Sequence, residues 1–216
     1  MTKEEYASRF SEEEAVGWFF LDQKIETVYG KEEPRHYGAE VPYVIGGKDP
    51  LDGVSIFDSE AQEKHYHLTT YGLSELYYDK ESVGGEFSKW GFEFTFRLKP
   101  FVGDEGDPFW AIEVLNNLAR YVFESENFFE ENHFVPINEP IRLDTDTEIV
   151  GLIFVQDPEL GKIETPHGEV TFLQMVGITA KELAVLMETP TIETVEALAN
   201  TLRQENPLLI TDLNRK

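Results

Sequence analysis

Between Gly91 and Leu98 the chain reads Gly-Phe-Glu-Phe-Thr-Phe-Arg-Leu, so that Phe92, Phe94, Phe96 and Leu98 alternate strictly with Glu93, Thr95 and Arg97. Successive side chains of a strand point to opposite faces, and this period of two sets three rings and a leucine on one side. Phe and Thr also favour the pleated, half-buried surface of a sheet. Burial of each ring is worth roughly 1.5–3 kcal/mol, enough for this one strand to anchor a core. The opposite face carries a carboxylate, a hydroxyl and a guanidinium, and it is expected to meet water or a partner.

The flanking sequence supplies elements to cover that strand. Ser11-Glu-Glu-Glu14 matches a capping box, Val16, Phe19, Phe20 and Val28 keep helical spacing, and Gly30 supplies a stop. A helix is therefore expected over about 11–30, and the core over about 41–213. Residues 31–40 read as polar and turn-like, Val41–Ile45 as a short strand, and 48–53 as a turn-rich loop. Strands follow at 53–57 and 64–71, with an irregular turn or short helix over 72–78. Pro108 fits the first turn of a helix reaching about Glu124, whose buried face would hold Ile112, Leu115, Leu118, Ala119 and Val122. Ile149-Val-Gly-Leu-Ile-Phe-Val155 is a run suited to a strand covered on both faces. Pro166-His-Gly168 reads as a hairpin turn, and helices are expected at about 179–187 and 191–203. The economical reading is one α+β domain.

Composition removes several function classes. With 216 residues the chain can bury about 70% of its unfolded surface without staples. There is no cysteine, hence neither a disulfide framework nor thiolate chemistry. No apolar run near the start suggests a signal peptide, and none reaches the length of a membrane span, so a cytoplasmic protein is expected. Eighteen basic residues stand against 42 acidic ones, a net charge of −24. That field repels nucleic acid and anionic lipid and favours basic partners, although acidity also serves solubility.

The motif search yields little chemistry. There is no P-loop, no nucleophile elbow, no zinc-protease helix and no dinucleotide-binding glycine pattern. His65 and His67 would share one face of a strand, but a metal site needs a third ligand, and His36, His133 and His167 fall in other segments. Both are read as polar residues at a sheet surface or core edge. Asp144-Thr-Asp-Thr-Glu148 opens like a calcium loop, yet Ile149 and Val155 stand where Gly and Glu are needed, which leaves an acidic turn. No cofactor, metal or catalytic residue is assigned, and the chain is not read as an enzyme.

Several stretches together resemble the Suppressor of Fused (SUFU) family. They are residues 46–52 (GGKDPLD), 65–77 (HYHLTTYGLSELY), 91–98 (GFEFTFRL) and 118–127 (LARYVFESEN), then 157–158 (DP), 168–177 (GEVTFLQMVG) and 209–212 (LITD). The resemblance implies an α+β fold with a mixed, largely antiparallel central sheet flanked by helices. The animal relative has two domains that hold a segment of the Gli transcription factors between them. This chain resembles the N-terminal one, which implies that the second jaw is lacking. Tyr121 corresponds to a partner-contacting tyrosine, and Asn132 and Gln156 fall where acidic contact positions stand, so both carboxylates are lost. Tyr121, Asn132 and Gln156 form the expected partner-binding patch, with a core tyrosine as the alternative for Tyr121. Asp49 and Asp52 read as turn residues that bond their own backbone. Short bacterial members look like immunity proteins, which implies a module that binds a protein partner, a basic, nuclease-type toxin among the candidates, and does no chemistry. The rival readings are an enzyme with a site near His65 and His67, or a dimerising subunit.

Overall fold

In the computed structural model, which describes residues 1–137, 139–143 and 145–216, the phenylalanine strand lies in the middle of an eight-stranded sheet. In chain order the strands are β1 (Arg35–Gly38), β2 (Gly53–Ser59), β3 (His65–Tyr71), β4 (Phe87–Leu98), β5 (Phe134–Pro136), β6 (Ile149–Gln156), β7 (Lys162–Thr165) and β8 (Gly168–Thr179). The helices are α1 (Lys3–Arg9), α2 (Val16–Tyr29), α3 (Phe109–Ser125), α4 (Ala180–Glu188) and α5 (Ile192–Arg203). The sheet order is β1-β2-β3-β4-β8-β6-β5, with β7 paired to the first part of β8. Only the β4–β8 pairing between named strands is parallel; the others are antiparallel. The expected mixed, largely antiparallel sheet with flanking helices is what forms.

One face of the sheet carries α3. Phe92, Phe94, Phe96 and Leu98 point to it and meet Leu115, Ala119 and Val122 in a cluster that also holds Phe154 and Met175. The other face is covered in two parts. Leu21 and Ile25 of α2 sit on Phe57, Tyr71 and Phe172, while α4 and α5 cover Ile153, Val155, Val176 and Ile178. The β6 run is therefore covered on both faces, as its continuous apolar sequence requires. The core also reaches further toward the N-terminus than residue 41, because α2 supplies part of it.

Three local expectations need correction. The N-terminal helix does not begin at Ser11. Ser11 and Glu14 close a separate turn through the Ser11 N–H to Glu14 carboxylate bond at 2.6 Å, and α2 starts at Val16 after Ala15 with no side-chain cap. A capping box does occur at Thr2 and Glu5, where it starts the unforeseen α1. Val41–Ile45 is no strand: the N–H groups of Ile45 and Gly47 both donate to the Pro42 carbonyl, winding the segment into a tight turn. The strand lies earlier, at β1, where pairing to β2 outweighs a polar sequence. Glu93, Thr95 and Arg97 face neither water nor a partner; all three are 0% exposed. Asp144, in the acidic turn 144–148, lies outside the described residues.

Candidate functional site

The sheet ends at β5, three residues long and closed by Pro136, which has no N–H to offer. α3 stands on one side of this edge and the start of α5 on the other. Between them a hollow of about 660 Å³ runs over β5, lined mainly by Leu118, Phe128, Phe129, Phe134, Pro190 and Ile192. A second hollow of about 870 Å³ continues from it onto the α3 face of the sheet, over Trp90, Phe92 and Leu173. The two share Phe128, Phe129, Asn132, His133 and Ile192, so they form one groove. The register shift between Phe87 and Phe92 in the β4–β8 pairing falls at this open end of the sheet.

Tyr121 lies in this groove rather than in the core. It is 48% exposed, and its ring sits 5.7 Å from Phe129, which stacks in turn on Phe154 at 4.5 Å. Asn132 lines both hollows. Its backbone is left-handed (φ +66°), and its N–H donates to the Phe154 carbonyl at 2.8 Å. Gln156 lies outside both hollows. It ends β6 opposite Leu173 and shares the sheet face of Phe154. The structure thus brings two of the three expected residues together and sets the third nearby.

His133 escaped the sequence reading, although it lines both hollows. Its N–H donates to the Glu130 carbonyl at 3.1 Å, and its Nδ1 accepts the Glu130 N–H at 3.2 Å. This reciprocal pair closes the turn that leads into β5. Glu126, Glu130, Glu131 and Glu169 border the second hollow. Of the two lysines there, Lys162 is paired to Glu169 at 2.8 Å and Lys89 donates to the Gly72 carbonyl. The floor is apolar and the rim is acidic. The signal available in sequence was local: Phe-Phe-Glu-Glu-Asn-His-Phe134 sets three rings among two acids.

The second constellation, around His65 and His67, is sealed. The two side chains are 1% and 0% exposed. His67 donates from Nε2 to Asp157 at 3.0 Å and accepts the Tyr29 hydroxyl at Nδ1 at 2.7 Å. His65 accepts from Arg97 Nη1 at 3.0 Å and donates from Nδ1 to the Glu63 carbonyl. Each imidazole thus has both nitrogens committed to protein partners. Burial pushes both below the usual histidine range and keeps them neutral. Burial acting alone would raise the Asp157 carboxyl, but contact with His67 and Arg97 and the Leu160 N–H hold it well below the carboxylate range. These residues lie in the core, deeper than the surface or core edge expected. Among the described residues no group of three or more His, Asp or Glu is placed to hold a metal ion.

Asp49 and Asp52 do more than shape their turn. Asp49 pairs with Arg120 of α3, and Asp52 accepts the Tyr77 hydroxyl at 2.8 Å. Among the described residues no helix is long and apolar enough to cross a membrane.

Comparison with known proteins bears on what such a groove does. Residues 47–216 match the family model "Suppressor of fused protein (SUFU)". The chain is 37% identical over 191 residues to the "Suppressor of fused homolog" of Homo sapiens and, equally, to that of Mus musculus. Each alignment covers 84% of this chain and 39% of the relative, so the chain spans about two fifths of their length. Among solved structures, it superposes on a chain of the Sufu-Fu complex with a TM-score of 0.83 and 27% identity, covering 94% of this chain and 92% of that one. For Drosophila Suppressor of Fused the TM-score is 0.82 at 27% identity, with 95% and 52% covered. A putative homolog from Neisseria gonorrhoeae shares the fold, with a TM-score of 0.61 at 17% identity over 93% and 95% of the two chains.

Proposed function

The chain belongs to the Suppressor of Fused family, and from that premise we propose that it is a non-catalytic protein-binding module whose contact surface is the groove over β5. The observation that carries this reading is the apolar groove itself, with Tyr121 standing half exposed above Phe129 and glutamates along its rim. An exposed aromatic beside an apolar hollow is the usual composition of an energetic anchor in protein recognition. That a family member has been solved in a complex named for Sufu and Fu supports protein binding as the mode of action.

The partner we assign is a basic polypeptide whose apolar side chains enter the hollows. A net charge of −24 speeds encounter with such a partner, and the glutamate rim suppresses acidic competitors. A basic, nuclease-type toxin fits this description, which makes the chain a cytoplasmic immunity or sequestering protein.

The test is affinity capture from lysate of the source organism at low and moderate salt, with wild type, Tyr121→Asp, Asn132→Arg and Gln156→Ala compared. The expected result is one basic polypeptide, weakened by salt and lost with Tyr121→Asp and Asn132→Arg. Gln156→Ala, outside the hollows, is expected to weaken capture less. Equal capture by wild type and Tyr121→Asp sinks the groove as the contact surface. An acidic partner, or one indifferent to salt, sinks the assigned chemistry.

A further inference from the structure

α1 is held to the protein by very little. Seven residues form no stable helix alone in water, and Tyr6 is its one buried residue. The Lys3–Glu81 pair on its outer side is exposed and adds little. The Tyr6 ring lies 4.9 Å from that of Tyr78 and meets the His167 ring edge-on at 5.5 Å. Its hydroxyl lies 2.8 Å from His167 Nε2 and accepts the Asp79 N–H at 3.3 Å. His167 Nδ1 faces the Glu75 carbonyl at 3.3 Å and must donate to it, so Nε2 is left as the acceptor for the Tyr6 O–H.

We propose that Tyr78, Asp79 and His167 form a binding slot for a tyrosine side chain, filled in this chain by Tyr6, and that α1 is a displaceable arm held there by that residue. The two rings select an aromatic guest. The acceptor on His167 and the donor on Asp79 select a hydroxyl, because an unhydroxylated ring leaves the buried imidazole nitrogen and the part-buried Asp79 N–H unpaired. The slot therefore takes a phenol, and a tyrosine from another polypeptide can compete with Tyr6 for it. Acid weakens the slot. The groups facing His167 are Tyr6 from α1 and Glu75 and Asp79 from the 75–79 segment. Burial keeps the imidazole neutral, and a proton on Nε2 removes the acceptor.

The experiment uses the full chain. Tyr6→Ala is titrated with p-cresol and with toluene while the His167 ring is followed by NMR, and α1 amide exchange is measured in Tyr6→Phe. The proposal requires saturable p-cresol binding to Tyr6→Ala, fading as pH falls. Toluene should bind at least about tenfold more weakly, as expected for losing a buried hydrogen-bonded hydroxyl. Wild type, with Tyr6 in place, should bind p-cresol about tenfold or more weakly than the variant. Tyr6→Phe should exchange its α1 amides about tenfold faster with the sheet amides unchanged. Absence of p-cresol binding, equal binding of toluene, or α1 amides in Tyr6→Phe as slow as in wild type overturns it. If Tyr6→Ala does not fold, the Tyr6→Phe exchange decides alone.

Discussion

Two buried carboxylates on the polar side of the sheet look alike and should respond unequally to the same change. Asp157 accepts from donors at both oxygens. Oδ1 takes the N–H groups of Glu159 and Leu160 and the Arg97 guanidinium, and Oδ2 takes His67 Nε2 and the Thr95 hydroxyl. An amide in its place must turn its NH2 toward a donor whichever way it flips, and Arg97 keeps only the part-exposed Glu159, at 2.8 Å, as a countercharge. Asp157→Asn is therefore expected to cost about 3–5 kcal/mol, the usual cost of breaking a buried ion pair. Glu93 is different. Its Oε1 takes the N–H groups of Gly72 and Ser74 and the Ser74 hydroxyl, while Oε2 meets only the Thr70 hydroxyl, which can reverse and accept. Burial pushes the Glu93 carboxyl above its usual range, so a neutral replacement also removes a desolvation cost. Glu93→Gln should cost no more than about 1 kcal/mol, the worth of an ordinary hydrogen bond. Urea unfolding of the two variants at neutral pH checks the pair, and a larger loss for Glu93→Gln than for Asp157→Asn contradicts the assignment.

At the scale of elements, α2 decides whether this polar interior stays sealed. Its Gly17 crosses the 72–78 segment so closely that a Cβ would stand 1.8 Å from the Glu75 carbonyl oxygen, and Trp18 N–H donates to the Leu76 carbonyl beside it. Gly17→Ala forces the helix away from backbone that cannot yield, at a cost of about 1–3 kcal/mol for such overpacking. Tyr29, at the far end of α2, should then lose its bond to His67, so ultraviolet titration of Tyr29 should move down toward the ordinary tyrosine range, above which burial holds it in the wild type. A variant as stable as wild type, with Tyr29 unchanged, contradicts this close crossing. The same helix shows where sequence reading stops. Phe92, Phe94 and Phe96 announced a strand and one buried face, because a period of two is a local property of the chain. That Glu93, Thr95 and Arg97 are buried as well depends on α2, about 70 residues earlier, and on Asp157, 60 residues later than Arg97. No local pattern carries that information. β1 was missed for a similar reason, since its short run Arg35-His-Tyr-Gly38 is strand only by pairing with β2. Tyr121 and Asn132 were legible through family resemblance. The groove joining them was not, because it arises where α3, β5 and α5 meet.

For the molecule as a whole, buried histidines and surface charge pull stability in opposite directions as pH falls. His65, His67 and His167 are all held below the usual histidine range by burial. The stability they contribute is complete above the unfolded value of about 6.5 and is lost as pH falls toward their folded values. Glu93, raised by burial, has the reverse sign: above the unfolded value of about 4.3 the free carboxyl ionises while the buried one resists. Three fully buried groups against one leave the unfolded chain binding up to two more protons near pH 5, worth about 1.4 kcal/mol each per pH unit as an upper limit, while the less buried His36 (lowered) and Asp22 (raised) offset each other. Repulsion within a chain of net charge −24 acts the other way, since acid relieves it. Salt separates the two effects, because screening weakens repulsion between exposed charges and leaves buried groups nearly untouched. Urea midpoints from pH 5 to 8 should therefore rise with pH, and should do so more steeply in about 0.5 M salt than in about 0.02 M salt. At pH 8 added salt should stabilise the wild-type chain. A midpoint that falls with rising pH at high salt contradicts the neutral assignment of the three histidines, and destabilisation by salt at pH 8 contradicts surface repulsion as the opposing term.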